Sequence, residues 1–208
     1  MKFKICGMLI PENIIKVSEL NPDYLGFIFW KKSPRYFKNR IPTLNKKIKL
    51  TGIFVDETLD EIKKQIKIHK LNAVQLHGNE GPLICEKIKM FGVECIKAFS
   101  INKDFNFNQV KNYENVCDYF LFDTKGKLPG GNSFKFDWRL LENYDFSKPF
   151  ILSGGISIKD ISEIKEIIKS NLPIHAVDVN SKFEIRPGKK NIELLKNFKL
   201  NLFKWNTM

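Results

Sequence analysis

The feature that most limits how this chain can fold is an alternation repeated along its whole length. A short apolar run is followed by a polar or amphipathic stretch, and the cycle recurs eight times within 208 residues. The apolar runs are Phe3 to Cys6, Tyr24 to Phe29, Leu50 to Val55, Asn72 to His77, Cys95 to Phe99, Tyr119 to Asp123, Phe150 to Ser153 and Ile174 to Val179. Their length and β-branched or aromatic content predict strands. Helices are predicted over Pro11 to Leu20, Glu57 to His69, Pro82 to Met90, Lys159 to Lys169 and Asn191 to Phe203. Weaker helical signals lie near Leu44 to Lys47, Phe107 to Glu114 and Asp137 to Glu142. Asp56 is the expected N-cap of the second helix, and Ser157 with Asp160 resembles a capping arrangement.

Eight strand–helix units of about 25 residues each fit an α/β class (β/α)8 barrel, a single domain over residues 1–208. Runs such as Phe150 to Leu152, apolar without a break, suit a parallel sheet covered on both faces. An open doubly wound sheet is the competing fold. It would carry a Gly-rich dinucleotide fingerprint after its first strand, which is absent here.

Composition limits the function. No apolar run approaches the roughly 18 residues of a membrane span, and the N-terminus enters a strand with no signal-peptide core. A cytoplasmic protein with no membrane partner is expected. Cys6, Cys85, Cys95 and Cys117 form no CxxC pair, so free thiols are expected and zinc or dithiol chemistry is not. No His, Cys or carboxylate spacing makes a metal site. The net charge of +12 raises the question of a nucleic-acid partner. The lysines, however, are spread over the presumed outer faces of helices, with no RNP-type motif, zinc finger or Arg-rich run. No nucleic-acid partner is therefore expected. The field equally suits a small anionic substrate.

In a barrel the polar residues at the C-terminal ends of the strands make the site. Here these are Cys6, Arg35 beyond the second strand, Asp56, His77, Asp123, Gly154-Gly155, and Asp178 with Asn180-Ser181. A Cys ending an apolar run also suits a small buried hydrophobe. Asp123 closes Phe120-Leu121-Phe122, a setting that favours a protonated carboxyl able to act as an acid; a turn-capping Asp is the alternative. Arg35 suits a bidentate hold on a carboxylate. His77 reads as a hydrogen-bonded structural residue. Gly154-Gly155 before a helix, with Asn180-Ser181 after strand eight, match a barrel phosphate site.

Taken together, Lys4-Ile5-Cys6-Gly7, Ser33-Pro34-Arg35-Tyr36, Gly52 to Val55, Val74 to Gly78, Leu121 to Thr124, Gly130-Gly131 before Phe136-Asp137-Trp138, Ser153 to Gly155, and Val177 to Ser181 through Pro187 to Lys190 occur in a familiar order. The sequence resembles phosphoribosylanthranilate isomerase over essentially its whole length. The resemblance implies a (β/α)8 barrel of tryptophan biosynthesis. It also implies a cofactor-free Amadori rearrangement of N-(5-phosphoribosyl)anthranilate to the 1-deoxyribulose 5-phosphate isomer. By motif, Cys6 matches the general base and Asp123 the general acid. Arg35 matches the residue for the anthranilate carboxylate, Gly154, Gly155 and Ser181 the phosphate cradle, and Asp178 a further polar lining residue. Asn180 joins them as a substrate-binding candidate.

The chain departs from the family pattern at Leu9-Ile10, Asp56, Asn132-Ser133 and Lys182. These affect loops, not the base or acid. Another barrel enzyme acting on a related sugar phosphate is the alternative reading. A monomer is expected, with a homodimer as the alternative.

Overall fold

Side chains along a strand alternate between two sides, and in this chain both sides are buried. That pattern is satisfied when the strands close on themselves inside a jacket of helices. The computed structural model describes residues 1–124, 126 and 135–203. Eight parallel strands form a closed barrel in chain order. They are β1 (Lys2–Ile5), β2 (Tyr24–Ile28), β3 (Lys49–Phe54), β4 (Ala73–Leu76), β5 (Glu94–Ile101), β6 (Tyr119–Thr124), β7 (Phe150–Leu152) and β8 (Ile174–Val179). The seam is β8 on β1, with Lys4 opposite Asp178 and Ile5 opposite Val179.

The outward strand residues, among them Phe3, Ile5, Phe27, Phe54, Phe120, Phe122 and Phe150, pack against the jacket. The inward set is separate and smaller: Ala73, Ile96, Ala98, Leu121, Ile151 and Ala176. These fill the barrel axis as a packed plug. Above the plug, the next inward positions are polar, and this change of character marks the functional end.

Among the described residues five α-helices lie in the jacket: α1 (Pro11–Ser18), α2 (Leu59–His69), α3 (Pro82–Lys89), α4 (Ile161–Lys169) and α5 (Ile192–Phe203). Three helical expectations need correction. Residues 44–47 form only a turn, closed by Ile48 N–H on the Asn45 carbonyl at 3.0 Å. The connection there is instead held by Phe37, whose ring packs on Phe27 and Phe29. Phe107–Tyr113 and Trp138–Asn143 are 3-10 helices. In both, an Asn or Asp cap bonds an amide only two residues on, Asn106 to Asn108 and Asp137 to Arg139. Low intrinsic helix propensity in the Asn-rich first segment leaves it in this tighter form.

Thr58, not Asp56, caps α2 by accepting from Glu61 N–H at 3.3 Å. Asp56 adopts a left-handed backbone and accepts from the Asn79 amide at 2.6 Å, which ties the loops after β3 and β4 together. The capping box of Ser157 and Asp160 is present at the 3-10 turn leading into α4. A hairpin that was not expected, β9 (Glu184–Arg186) with β10 (Lys189–Lys190), follows β8 and turns at Pro187-Gly188. The expected Gly126 to Ser133 loop, with Gly130-Gly131 and Asn132-Ser133, falls largely outside the described residues. Among the described residues no helix is long and apolar enough to cross a membrane.

Candidate active site

The inward side chains at the C-terminal rim follow from the two-residue period of the strands. Cys6 stands two residues beyond Lys4 on β1. His77 stands two beyond Gln75 on β4, and Asp123 two beyond Leu121 on β6. Asp178 stands two beyond Ala176 on β8. Cys6, Arg35, Asp123 and Asp178 line one pocket, and the same pocket is lined by Gly154, Gly155, Asn180 and Ser181. Of the strand-end residues singled out from the sequence, these eight and His77 are brought together, and Asp56 is not.

Cys6 is buried, and space for its sulfur comes from Gly26 on β2, where a Cβ would lie 2.8 Å from Cys6 Sγ. Burial pushes the Cys6 thiol above its ordinary pKa; Lys4 and Lys190 pull it back, and Asp178 adds to the rise. Lys4 is fully buried and donates to Asp178 Oδ2 at 2.8 Å. Despite its burial, Lys4 is held above the usual lysine range by Asp178 and Cys6. Asp178 Oδ1 is buried with no hydrogen-bond partner. Burial raises the Asp178 carboxyl, against the pull of Lys4.

Asp123 is buried on β6 and accepts from the Thr124 amide at 2.9 Å. His77 proves to be a wall of the same pocket: its Nδ1 pairs with Gln75 Nε2 at 2.9 Å. His77 Nε2 lies 3.3 Å from Asp123 Oδ2 but outside hydrogen-bond geometry.

Arg35 already holds a carboxylate, and it belongs to the protein. Its Nε contacts both oxygens of Glu184 at 2.9 and 3.0 Å, and Nη2 reaches Oε2 at 2.6 Å. These bonds do not use Nη1. Glu184 also accepts from Lys190 Nζ at 2.8 Å. Burial would raise the Glu184 carboxyl, yet Arg35 and Lys190 together hold it below the usual range. Lys190 is fully buried and bonds Asn180 Oδ1 at 2.7 Å and the Asn180 carbonyl at 3.3 Å. Burial brings the Lys190 ammonium down to about 8, with Glu184 opposing.

After β7 the chain turns through Gly154 and Gly155, at φ +94° and +64°, in the left-handed region that glycine tolerates. Gly154, Gly155 and Ser181, at the ends of β7 and β8, line the pocket, and their amides have no backbone acceptor among the described residues. Lys182 is exposed on the turn beginning at Ser181.

Sequence reasoning missed Lys4, Glu184 and Lys190 as parts of this site. Glu184 and Lys190 sit on the unexpected hairpin, and nothing local links either to Arg35 or Cys6. It also missed that Cys85, Cys95 and Cys117, far apart in the chain, place their sulfurs within 4.8 Å of one another in the buried layer around α3 and β5. None of these three lines the pocket.

Comparison with known proteins agrees with this geometry. Residues 3–201 match the family model described as N-(5'-phosphoribosyl)anthranilate (PRA) isomerase. The N-(5'-phosphoribosyl)anthranilate isomerase of Parabacteroides distasonis is 39% identical, over 95% of this chain and 91% of that protein. That of Phocaeicola vulgatus is 37% identical, over 92% of each. The fold is shared with the Thermus thermophilus phosphoribosylanthranilate isomerase, at TM-score 0.85 and 24% identity, over 99% of this chain and 100% of that one. A second solved isomerase, in complex with reduced 1-(o-carboxyphenylamino)-1-deoxyribulose 5-phosphate, aligns at TM-score 0.81 and 30% identity, over 97% of this chain and 98% of that one. With the model matched across nearly the whole chain and relatives well above 30% identical, this protein belongs to the phosphoribosylanthranilate isomerase family, enzymes of tryptophan biosynthesis.

Proposed function

We infer that this pocket converts N-(5-phosphoribosyl)anthranilate to 1-(2-carboxyphenylamino)-1-deoxyribulose 5-phosphate, with Asp123 as general acid and Cys6 as general base. The observation that carries the reading is the content of one pocket. It holds a thiol, a buried carboxyl, a guanidinium and three amides without backbone acceptors.

The substrate is a furanosylamine. Asp123 gives its proton to the ring oxygen as the C1–O bond breaks, which leaves a Schiff base between C1 and the anthranilate nitrogen. The Cys6 thiolate then takes the proton from C2, and those electrons move to the C1–N unit to form an enolamine. Tautomerisation to the C2 ketone completes the isomerisation, with no net oxidant or reductant.

The substrate has two anionic ends. The phosphate suits the amides of Gly154, Gly155 and Ser181. The carboxylate suits Arg35 through the Nη1 edge that Glu184 leaves open. Asp178 Oδ1, buried and without a donor, suits a ribose hydroxyl.

The test is turnover of freshly prepared phosphoribosylanthranilate, followed by loss of its fluorescence. Cys6→Ser and Asp123→Asn should each lose about 10²–10⁴-fold in kcat while keeping the wild-type circular dichroism. Near-normal turnover in either variant removes that residue from its role. A folded wild type without turnover removes the substrate assignment.

A further inference from the structure

A buried thiol is a poor base, and the pocket must contain something that counters the burial of Cys6. We propose that Lys4 is the positioning residue for the base: clamped on Asp178 at the barrel seam, its buried ammonium offsets part of the burial of Cys6 and favours the thiolate. The proposal rests on the isomerase reading for its consequence in turnover, but not for its chemistry.

The placement follows from the strand geometry. Lys4 and Cys6 are successive inward residues of β1, separated by about 6.6 Å along the strand. A four-carbon stem spans that interval. Lys4 cannot turn to solvent, since it is fully buried. Asp178, directly opposite in the β8 register, fixes its head at 2.8 Å. The next inward position along β1 from that fixed ammonium is Cys6.

The charges around Cys6 support the same conclusion. Lys4 on β1, Lys190 on β10 and Arg35 beyond β2 are cations; Asp178 on β8 and Glu184 on β9 are anions. Asp123 on β6 and His77 on β4 form the other wall, beside one another. Of the three cations, Lys190 is bonded to Asn180 and Glu184, and Arg35 to Glu184. Lys4 has only Asp178 as a hydrogen-bond partner among the described residues, and so has donors left for sulfur.

The test reads the thiol directly, without substrate. Cys6 is alkylated with iodoacetamide across a pH series and the modified peptide is quantified by mass spectrometry. Cys85, Cys95 and Cys117 are fully buried and act as internal references. Lys4→Met strands the Asp178 carboxylate, so Lys4→Met/Asp178→Asn is made beside it as a neutral pair that keeps the packing.

The pH midpoint for Cys6 alkylation should rise by at least one unit in Lys4→Met, which slows the reaction at neutral pH about tenfold, and by less in the double variant, which also loses the carboxylate that raises the thiol. The acid limb of kcat/KM should move with it, while KM changes less than kcat. A folded double variant with the wild-type alkylation midpoint overturns the proposal, whatever its activity. If alkylation shifts as expected but the wild type does not turn over phosphoribosylanthranilate, the proposal stands and the substrate assignment falls.

Discussion

Gly154 is the residue at which two requirements meet. Its φ of +94° is strained for any other L-residue, and a Cβ there would fall 2.4 Å from Thr124 Oγ1 and 3.0 Å from Asp123 Oδ1. The turn proposed to hold the phosphate is thus packed against the carboxyl proposed as acid. Gly154→Ala should cost about 1–3 kcal/mol in backbone strain. It should lower kcat as well as raise KM, because neither group can shift without the other. Steady-state kinetics beside thermal unfolding checks this. Arg35→Lys should raise KM about 10–100-fold, as a point charge cannot serve Glu184 and a substrate carboxylate in two planes. Glu184 sets a pH dependence of stability. Its carboxyl is held below the unfolded value by Arg35 and Lys190 against the effect of burial. That stabilisation is complete above the unfolded pKa near 4.3 and is lost as pH falls through the lower folded value. Glu184→Gln should therefore unfold more readily at neutral pH and show a shallower loss of stability on acidification, measured by urea titration at several pH values. At this scale the sequence pointed to the pocket wherever a polar residue closes a strand, as for Cys6, Asp123 and Asp178. Lys4 and Lys190 were hidden among 35 basic residues, and only burial sets them apart.

Among the elements, the strands were the most legible, since an apolar run walled by turns has few alternatives at eight-fold repetition. The connections were less so. The segment after β2 and the two 3-10 helices carry too little periodic apolar signal to fix their hydrogen-bond step. The β9–β10 hairpin went unread because its five strand residues are mostly charged and too few to show alternation. Yet it delivers Glu184 and Lys190 to the mouth. Lys190→Met should release Asn180 and loosen the turn at Ser181, with a larger rise in KM than fall in kcat. Inorganic phosphate should likewise inhibit the variant more weakly than the wild type. The capping box before α4 offers a control for purely structural effects: Ser157→Ala should cost about 1 kcal/mol of stability and leave the pH profile unchanged.

For the molecule as a whole, stability and chemistry occupy different layers. The outward aromatic layer, centred on residues such as Phe120 and Phe122, holds strands to jacket. Phe120→Ala should cost about 3–5 kcal/mol with little change in KM for the fraction that remains folded. The proposed chemistry lies at the inward rim, which is assembled from both ends of the chain. Lys4 meets Asp178 across 174 residues, and Asn13 on α1 is bonded to both the amide and the carbonyl of Lys190 across 177. In time as well as space, then, the site is the last thing this chain makes. A nascent polypeptide that has emerged through β7 holds the thiol and the acid, but not the groups from β8 and the hairpin that surround the thiol. During refolding, Cys6 should acquire its native reactivity in the same kinetic phase as ring closure, after helix formation, because that contact spans nearly the full contour of the chain.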